Sequence, residues 1–177
     1  MTALEQRIKN IIVDVPDYPK PGIMFKDVST IFENAQLSND IVNVMAGMYT
    51  SDKPDAVAGL ESRGFILGMP LAMRLGIPFI LIRKKNKLPR DRYSIDYELE
   101  YGNATIEVHK TAIQAGQRIL IHDDLLATGG TAEAAGRLVE MAGGHVMGYN
   151  FLCELEFLKG RERLDKISPH IFTFAHF

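Results

Sequence analysis

The sequence predicts an α/β fold built on a mostly parallel sheet, and three observations point to it. Short apolar runs alternate with segments of helical period from Asp55 onward. Those runs, Ala56 to Gly59, Phe79 to Ile82, Arg118 to His122 and Val146 to Leu152, are too continuously apolar for strands with one wet face. The helical segments between them, near Phe65 to Leu75 and Thr131 to Ala142, have the length of crossover connections.

In chain order, apolar residues at Leu4, Ile8, Ile11 and Ile12 predict a short amphipathic helix. The stretch Asp14 to Gly22 contains three prolines and is expected to lack regular structure. A second helix is predicted over about Asn39 to Tyr49, burying Ile41, Val44, Met45 and Met48. The alternating units follow, interrupted by the polar stretch Lys84 to Glu107, read as a long loop or hairpin arm of the kind that usually serves function. With 177 residues, no repeats and no low-complexity tract, the chain is expected to form one domain, residues 1–177.

Bulk properties narrow the function. A net charge of −2 argues against general nucleic-acid binding, although a local basic cluster could hold a small anion. Cys153 is the one cysteine, which excludes an internal disulfide and suits a reducing compartment. No apolar segment has the length of a signal peptide core or a membrane span, so the expectation is a cytoplasmic protein without membrane partners. His109, His122, His145, His170 and His176 show no metal-ligand spacing with Cys153, which argues against a protein-held zinc.

The strongest local signal runs from Ile119 to Thr131. An apolar strand leads into Asp123 and Asp124, then into Thr128-Gly129-Gly130-Thr131, and then into a helix with Ala132, Ala135, Leu138, Val139 and Ala142 on one face. Ligands of open α/β sheets sit beyond the carboxyl ends of strands. Free amides and the helix dipole at the turn favour a phosphate. Two carboxylates would repel bare phosphate, but they can accept from vicinal hydroxyls, so a ribose 5-phosphate resolves the conflict. The alternative is that the aspartates cap a turn and the glycines tighten it. No Gly-Lys-Ser/Thr or G-x-G-x-x-G pattern is present.

Here the chain resembles the type I phosphoribosyltransferases. The stretch from Ile119 to Ala135 is similar to that family's donor-binding signature, and Leu125-Leu126-Ala127 between acids and turn is similar to the adenine-specific members. Further matching segments keep the family's order: Pro16 to Asp27, Gly59-Leu60-Glu61-Ser62-Arg63-Gly64-Phe65, Leu81 to Pro89, and Leu99-Glu100-Tyr101-Gly102. The resemblance implies the type I phosphoribosyltransferase fold, with an N-terminal hood of about residues 1–35 and a flexible hairpin arm. It implies transfer of phosphoribose from phosphoribosyl pyrophosphate to adenine, yielding AMP and pyrophosphate, with Mg²⁺ as cofactor and a homodimer as the usual assembly.

The resemblance also distributes roles. Ala127, Thr128, Gly129, Gly130 and Thr131 would hold the 5′-phosphate, and Asp123 and Asp124 the ribose. Glu61, Ser62, Arg63 and Gly64, with Arg83, Lys84 and Lys87, would hold pyrophosphate, some of the basic residues across a subunit interface. Lys85 and Arg90 are read as solvent-facing. Glu100 would act as acid/base at the purine ring, Tyr101 would help close the arm, and Arg63 would also serve the reaction. Met24, Phe25, Lys26 and Leu125 would line the base pocket, with recognition mainly through the main chain of the hood segment. Most relatives carry Arg where this chain has Lys26. No direct protein ligand to the metal is expected, since Mg²⁺ prefers substrate oxygens and waters. Two other readings stay open: the same chemistry on hypoxanthine, guanine or xanthine, and a ligand-sensing regulator that keeps the ribosyl-phosphate site without catalysis.

Overall fold

The computed structural model describes residues 2–98 and 102–177. Its elements are α1 (Ala3–Ile11), β1 (Val13–Pro16), β2 (Met24–Asp27), α2 (Ser29–Phe32), α3 (Ala35–Met48), β3 (Ala56–Leu60), α4 (Gly64–Leu75), β4 (Phe79–Lys84), β5 (Arg92–Glu98), β6 (Asn103–His109), β7 (Arg118–Leu126), α5 (Gly130–Met141), β8 (His145–Glu154), a 3₁₀ turn (Glu156–Leu158), α6 (Arg161–Leu164) and β9 (Ile171–His176).

Seven strands form one sheet in the order β5-β6-β4-β3-β7-β8-β9. The five from β4 to β9 are parallel, as the apolar runs predict. The arm is the antiparallel hairpin β5–β6, attached to the edge of β4. Helix α4 carries the chain from β3 to its neighbour β4 on one side, while α5 carries it from β7 to β8 on the other. The connections therefore diverge between β3 and β7, which opens a crevice at their carboxyl ends.

The sheet separates two apolar layers. On one face, Ala132, Ala135, Leu138 and Val139 of α5 pack on Ala58, Ile119, Ile121 and Phe151, and Tyr93, Ile95 and Tyr97 of the arm join them. On the other, Leu67 and Leu71 of α4 pack with Ile41 and Met45 of α3, Ile8 of α1, and Val57, Leu120 and Leu152 of the strands. Alternate residues of β7 thus face opposite layers, which is why its sequence reads as an unbroken apolar run.

Four expectations are corrected, the first being the buried face of α3: Val44 and Met48 are 45% and 40% exposed, and Leu37, Val42 and Ala46 are buried with Ile41 and Met45. The proline-rich stretch is not wholly irregular: β1 and β2 pair as a hairpin with Pro16 opposite Met24. Pro16 ends its strand, and a strand with a single partner has one edge that needs no donors. Helix α3 starts four residues before the predicted Asn39 because the Asn34 side chain accepts from the Leu37 amide and buries Leu37 in the first turn. Strand β7 continues through the two aspartates to Leu126, since pairing with β8 persists from Asp123 opposite Phe151 to Leu126 opposite Glu154.

Candidate active site

Two turns meet at the crevice. The first follows β3, where Glu61 to Arg63 lead into α4 and the Glu61–Ser62 peptide is cis. The second follows β7 and leads into α5 through Gly129, whose φ of 79° is the left-handed conformation that glycine adopts without strain. Gly64 brings the turns together. A Cβ at this position would stand 2.6 Å from the His122 carbonyl oxygen and 3.0 Å from the Asp123 carboxylate. Only a residue without a side chain lets the start of α4 lie so close to β7.

The side chains are already engaged with one another. The Arg63 guanidinium pairs with the Asp124 carboxylate, which is almost fully buried, whereas the Arg63 side chain itself is 44% exposed. Glu61 accepts from Arg83 Nε at 3.2 Å and from the Lys84 amide at 2.8 Å. Burial would raise the Glu61 carboxyl, but the Lys84 amide and Arg83 outweigh it and hold the group below its ordinary value. Arg83 also donates to the Lys87 carbonyl at 3.2 Å, so it organises the turn after β4.

Asp123 takes a different environment from its neighbour. It faces a cavity of about 490 Å³ whose wall includes Glu61, Lys84, Lys85, Tyr97 and Thr131. It also lines a smaller recess of about 90 Å³ formed by Leu125 to Ala132. Burial, and then the charge of Asp124, push its carboxyl well above the ordinary carboxylate range. Behind the pair, His122 meets Asn150 at 3.1 Å from its Nδ1, and Asn150 donates to the Tyr49 hydroxyl at 3.4 Å. Burial lowers His122 to about 4, so its ring is neutral around pH 7. Burial also raises the Cys153 thiol, which donates to the Asp124 carbonyl and suits packing rather than nucleophilic chemistry.

The structure thus brings Glu61, Lys84, Asp123 and Thr131 around one cavity, and Ala127, Thr128, Gly129 and Gly130 with Leu125 around the adjoining recess. Ser62 and Arg63 are exposed at the β3 turn. Lys85, read from sequence as solvent-facing, lies exposed on the cavity rim, whereas Lys87 lines neither space. Met24, Phe25 and Lys26 sit on hood strand β2 and line neither space as well. Phe25 stacks edge-on against Tyr18, while Lys26 pairs with Asp14 at 2.6 Å and lies 4.5 Å over the Phe177 ring. Since Phe177 is hydrogen-bonded to the end of β8, this places the hood beside the carboxyl ends of the strands. Glu100 and Tyr101 lie outside the described residues. Sequence reading assigned no role to Tyr97, which lines the cavity, or to Glu107, which is buried against Arg92 at 3.0 Å within the arm. The alternation of Tyr93, Ile95 and Tyr97 along one face of β5 was the signal available for the first.

A mostly parallel sheet whose β3 and β7 turns open helices side by side at its switch point defines an α/β protein with a ligand crevice at its carboxyl edge. The family model described as phosphoribosyl transferase domain matches residues 27–174. Adenine phosphoribosyltransferase of Cytophaga hutchinsonii is 50% identical over 170 residues, 96% of this chain and 92% of that one. The crystal structure of adenine phosphoribosyltransferase from Thermoanaerobacter pseudethanolicus superposes with a TM-score of 0.92 at 45% identity, covering 97% of this chain and 99% of that one. The Saccharomyces cerevisiae enzyme, complexed with an imino-altritol bisphosphate and adenine, gives a TM-score of 0.91 at 39% identity over 98% and 99% of the two chains. The chain belongs to the phosphoribosyltransferase family, on its adenine phosphoribosyltransferase branch.

Proposed function

We propose that the protein transfers 5-phosphoribose from 5-phosphoribosyl 1-pyrophosphate to N9 of adenine, giving AMP and pyrophosphate, a purine salvage reaction. The observation that carries this reading is the meeting of the Glu61–Gly64 turn, Asp123 and the Thr128–Thr131 turn at the β3/β7 switch point. The amides and hydroxyls of residues 127–131 receive the 5′-phosphate at the start of α5. Asp123 accepts from a ribose hydroxyl on the cavity wall. Arg63, Ser62 and Gly64, with Glu61 holding Arg83 in place and with Lys84 and Lys87, receive pyrophosphate.

Arg63 links these events. Its exposed guanidinium can turn from Asp124 to the incoming pyrophosphate, which leaves the Asp124 carboxylate to face the ribose and the positive charge that develops at the anomeric carbon. Glu100 manages the proton at the purine imidazole and Tyr101 closes the arm, excluding water from the activated donor. Phe25 and Leu125 form the walls of the base pocket under a hood of residues 1–35, with Met24 and Lys26 contributing main-chain groups.

Mg²⁺ fits the donor set as a substrate-borne ion. Glu61 is occupied by Arg83 and the Lys84 amide, so the cavity-facing Asp123 is the carboxylate suited to hold a water of the ion. Bound with pyrophosphate, Mg²⁺ would neutralise charge on the leaving group.

A homodimer accords with the stripe Ile66, Met69 and Met73 on α4 and with Leu81 on β4, which are 43%, 46%, 69% and 42% exposed. Among the described residues no helix is long and apolar enough to cross a membrane. A cytoplasmic location accords with the lone, buried thiol.

The test is an assay with the donor, Mg²⁺ and each of adenine, hypoxanthine, guanine and xanthine. The reading expects AMP and pyrophosphate in equal amounts from adenine. Nucleotide from a 6-oxopurine instead would reassign the base, and no product from a folded sample would remove the enzymatic reading.

A further inference from the structure

The edge strand β5 makes one contact with the phosphate turn that the reaction just described does not use. Thr131 Oγ1 donates to the Tyr97 hydroxyl at 3.2 Å. The strand lies close over the turn, since a Cβ on Gly130 would stand 3.4 Å from the Glu98 carbonyl oxygen. Tyr97 lines both the cavity that holds Asp123 and a second cavity of about 260 Å³ between β5 and α5. It is therefore the described side chain of β5 that touches the turn and the reaction space together.

We propose that Tyr97 is a positioning residue that couples 5′-phosphate occupancy to the seating of the arm; this rests on the phosphoribosyl reading of the turn. Both partners are hydroxyls, so their hydrogen bond can run in either direction. With the turn empty, the Thr131 proton points to Tyr97. A phosphate in the turn is a charged and stronger acceptor, and it draws that proton. Thr131 Oγ1 then accepts from the Tyr97 O–H, and each bond in the chain Tyr97 to Thr131 to phosphate strengthens the other. Strand β5 is fastened to the turn most firmly when donor or product is bound, and β5 runs directly into residues 99–101.

Calorimetric titration with AMP and with adenosine, which lacks the phosphate, separates this role from a structural one. Tyr97→Phe should weaken AMP about tenfold and change adenosine by less than about twofold. In a Thr131→Val background Tyr97→Phe should add less than about twofold, whereas Thr131→Ser, which keeps the hydroxyl, should restore the dependence on Tyr97. Hydrogen exchange gives a second measurement: AMP should slow exchange of the β5 amides in the wild type and not in Tyr97→Phe. Equal losses for AMP and adenosine, or no loss of AMP affinity, would overturn the coupling while leaving the phosphoribosyl reading intact. Failure of the wild type to bind AMP would overturn both.

Discussion

The guanidinium of Arg63 pairs with the buried carboxylate of Asp124 and so joins the turn after β3 to the end of β7. Removing it strands a charge. Arg63→Ala should lower stability by about 1 to 3 kcal/mol, the half-exposed Arg keeping the cost below that of a fully buried pair. If Arg63 holds pyrophosphate as proposed, the same change should also reduce kcat at least about a hundredfold. Arg63→Lys should recover most of the stability but little of the rate, because an ammonium lacks the planar fork. Urea titration and steady-state kinetics on the same samples check both statements.

Gly64 permits that junction. Gly64→Ala places a methyl 2.6 Å from the His122 carbonyl oxygen and 3.2 Å from the Asp123 Cα, both backbone atoms that cannot rotate away. The expected cost is about 1 to 3 kcal/mol of stability. Donor affinity should fall more than adenine affinity, since the displaced turn is the one proposed to hold pyrophosphate. A lowered Tm with the two affinities measured separately tests this, and an unchanged Tm would contradict the packing described.

His122 sets a pH dependence of stability. Its folded value of about 4 lies below the ordinary 6.5, with burial the largest cause. The unfolded chain therefore binds the proton first, so stability present above pH 6.5 is lost as pH falls toward 4. Asp123 acts with the opposite sign: its raised carboxyl forfeits stability as pH rises above its ordinary value of 3.8. A substitution at His122 isolates the first effect. Between about pH 7 and about pH 4.5, wild type should lose about 2 kcal/mol more than His122→Asn in urea titrations. Parallel losses in both proteins would assign the pH dependence elsewhere.

Much of this was legible in the sequence, for reasons that can be named. The parallel strands could be read because Val57, Ile119, Leu120 and Ile121 are buried in both layers, which only a continuous apolar run satisfies. The glycine turn into α5 was legible because adjacent glycines mark a tight turn, and Gly129 adopts positive φ there. What could not be read was pairing at a distance. Nothing local shows that Arg63 meets Asp124, that Glu61 is held by Arg83, or that Lys26 rests on Phe177, because each contact spans elements brought together by the sheet. The β1–β2 hairpin was hidden by its prolines, which a two-stranded edge tolerates.

Lys26 is fixed between Asp14 and the Phe177 ring. A guanidinium can make the same pair and stack on the same ring, so Lys26→Arg should leave the KM for adenine within about twofold of wild type. Lys26→Ala should cost about 0.5 to 1 kcal/mol in stability. It should raise the adenine KM more than the donor KM, because the loosened strand carries Phe25. Kinetics with each substrate varied in turn would show the difference; equal effects on both KM values would place Lys26 outside the hood's function.

A crystal structure of the protein with AMP tests the site as a whole. The phosphate should lie within hydrogen-bonding distance of the amides of Thr128 to Thr131, with the ribose hydroxyls on Asp123 and Asp124 and the purine between Phe25 and Leu125. AMP bound with its phosphate away from the turn after β7, or at another edge of the sheet, would contradict the assignment of this crevice as the phosphoribosyl site.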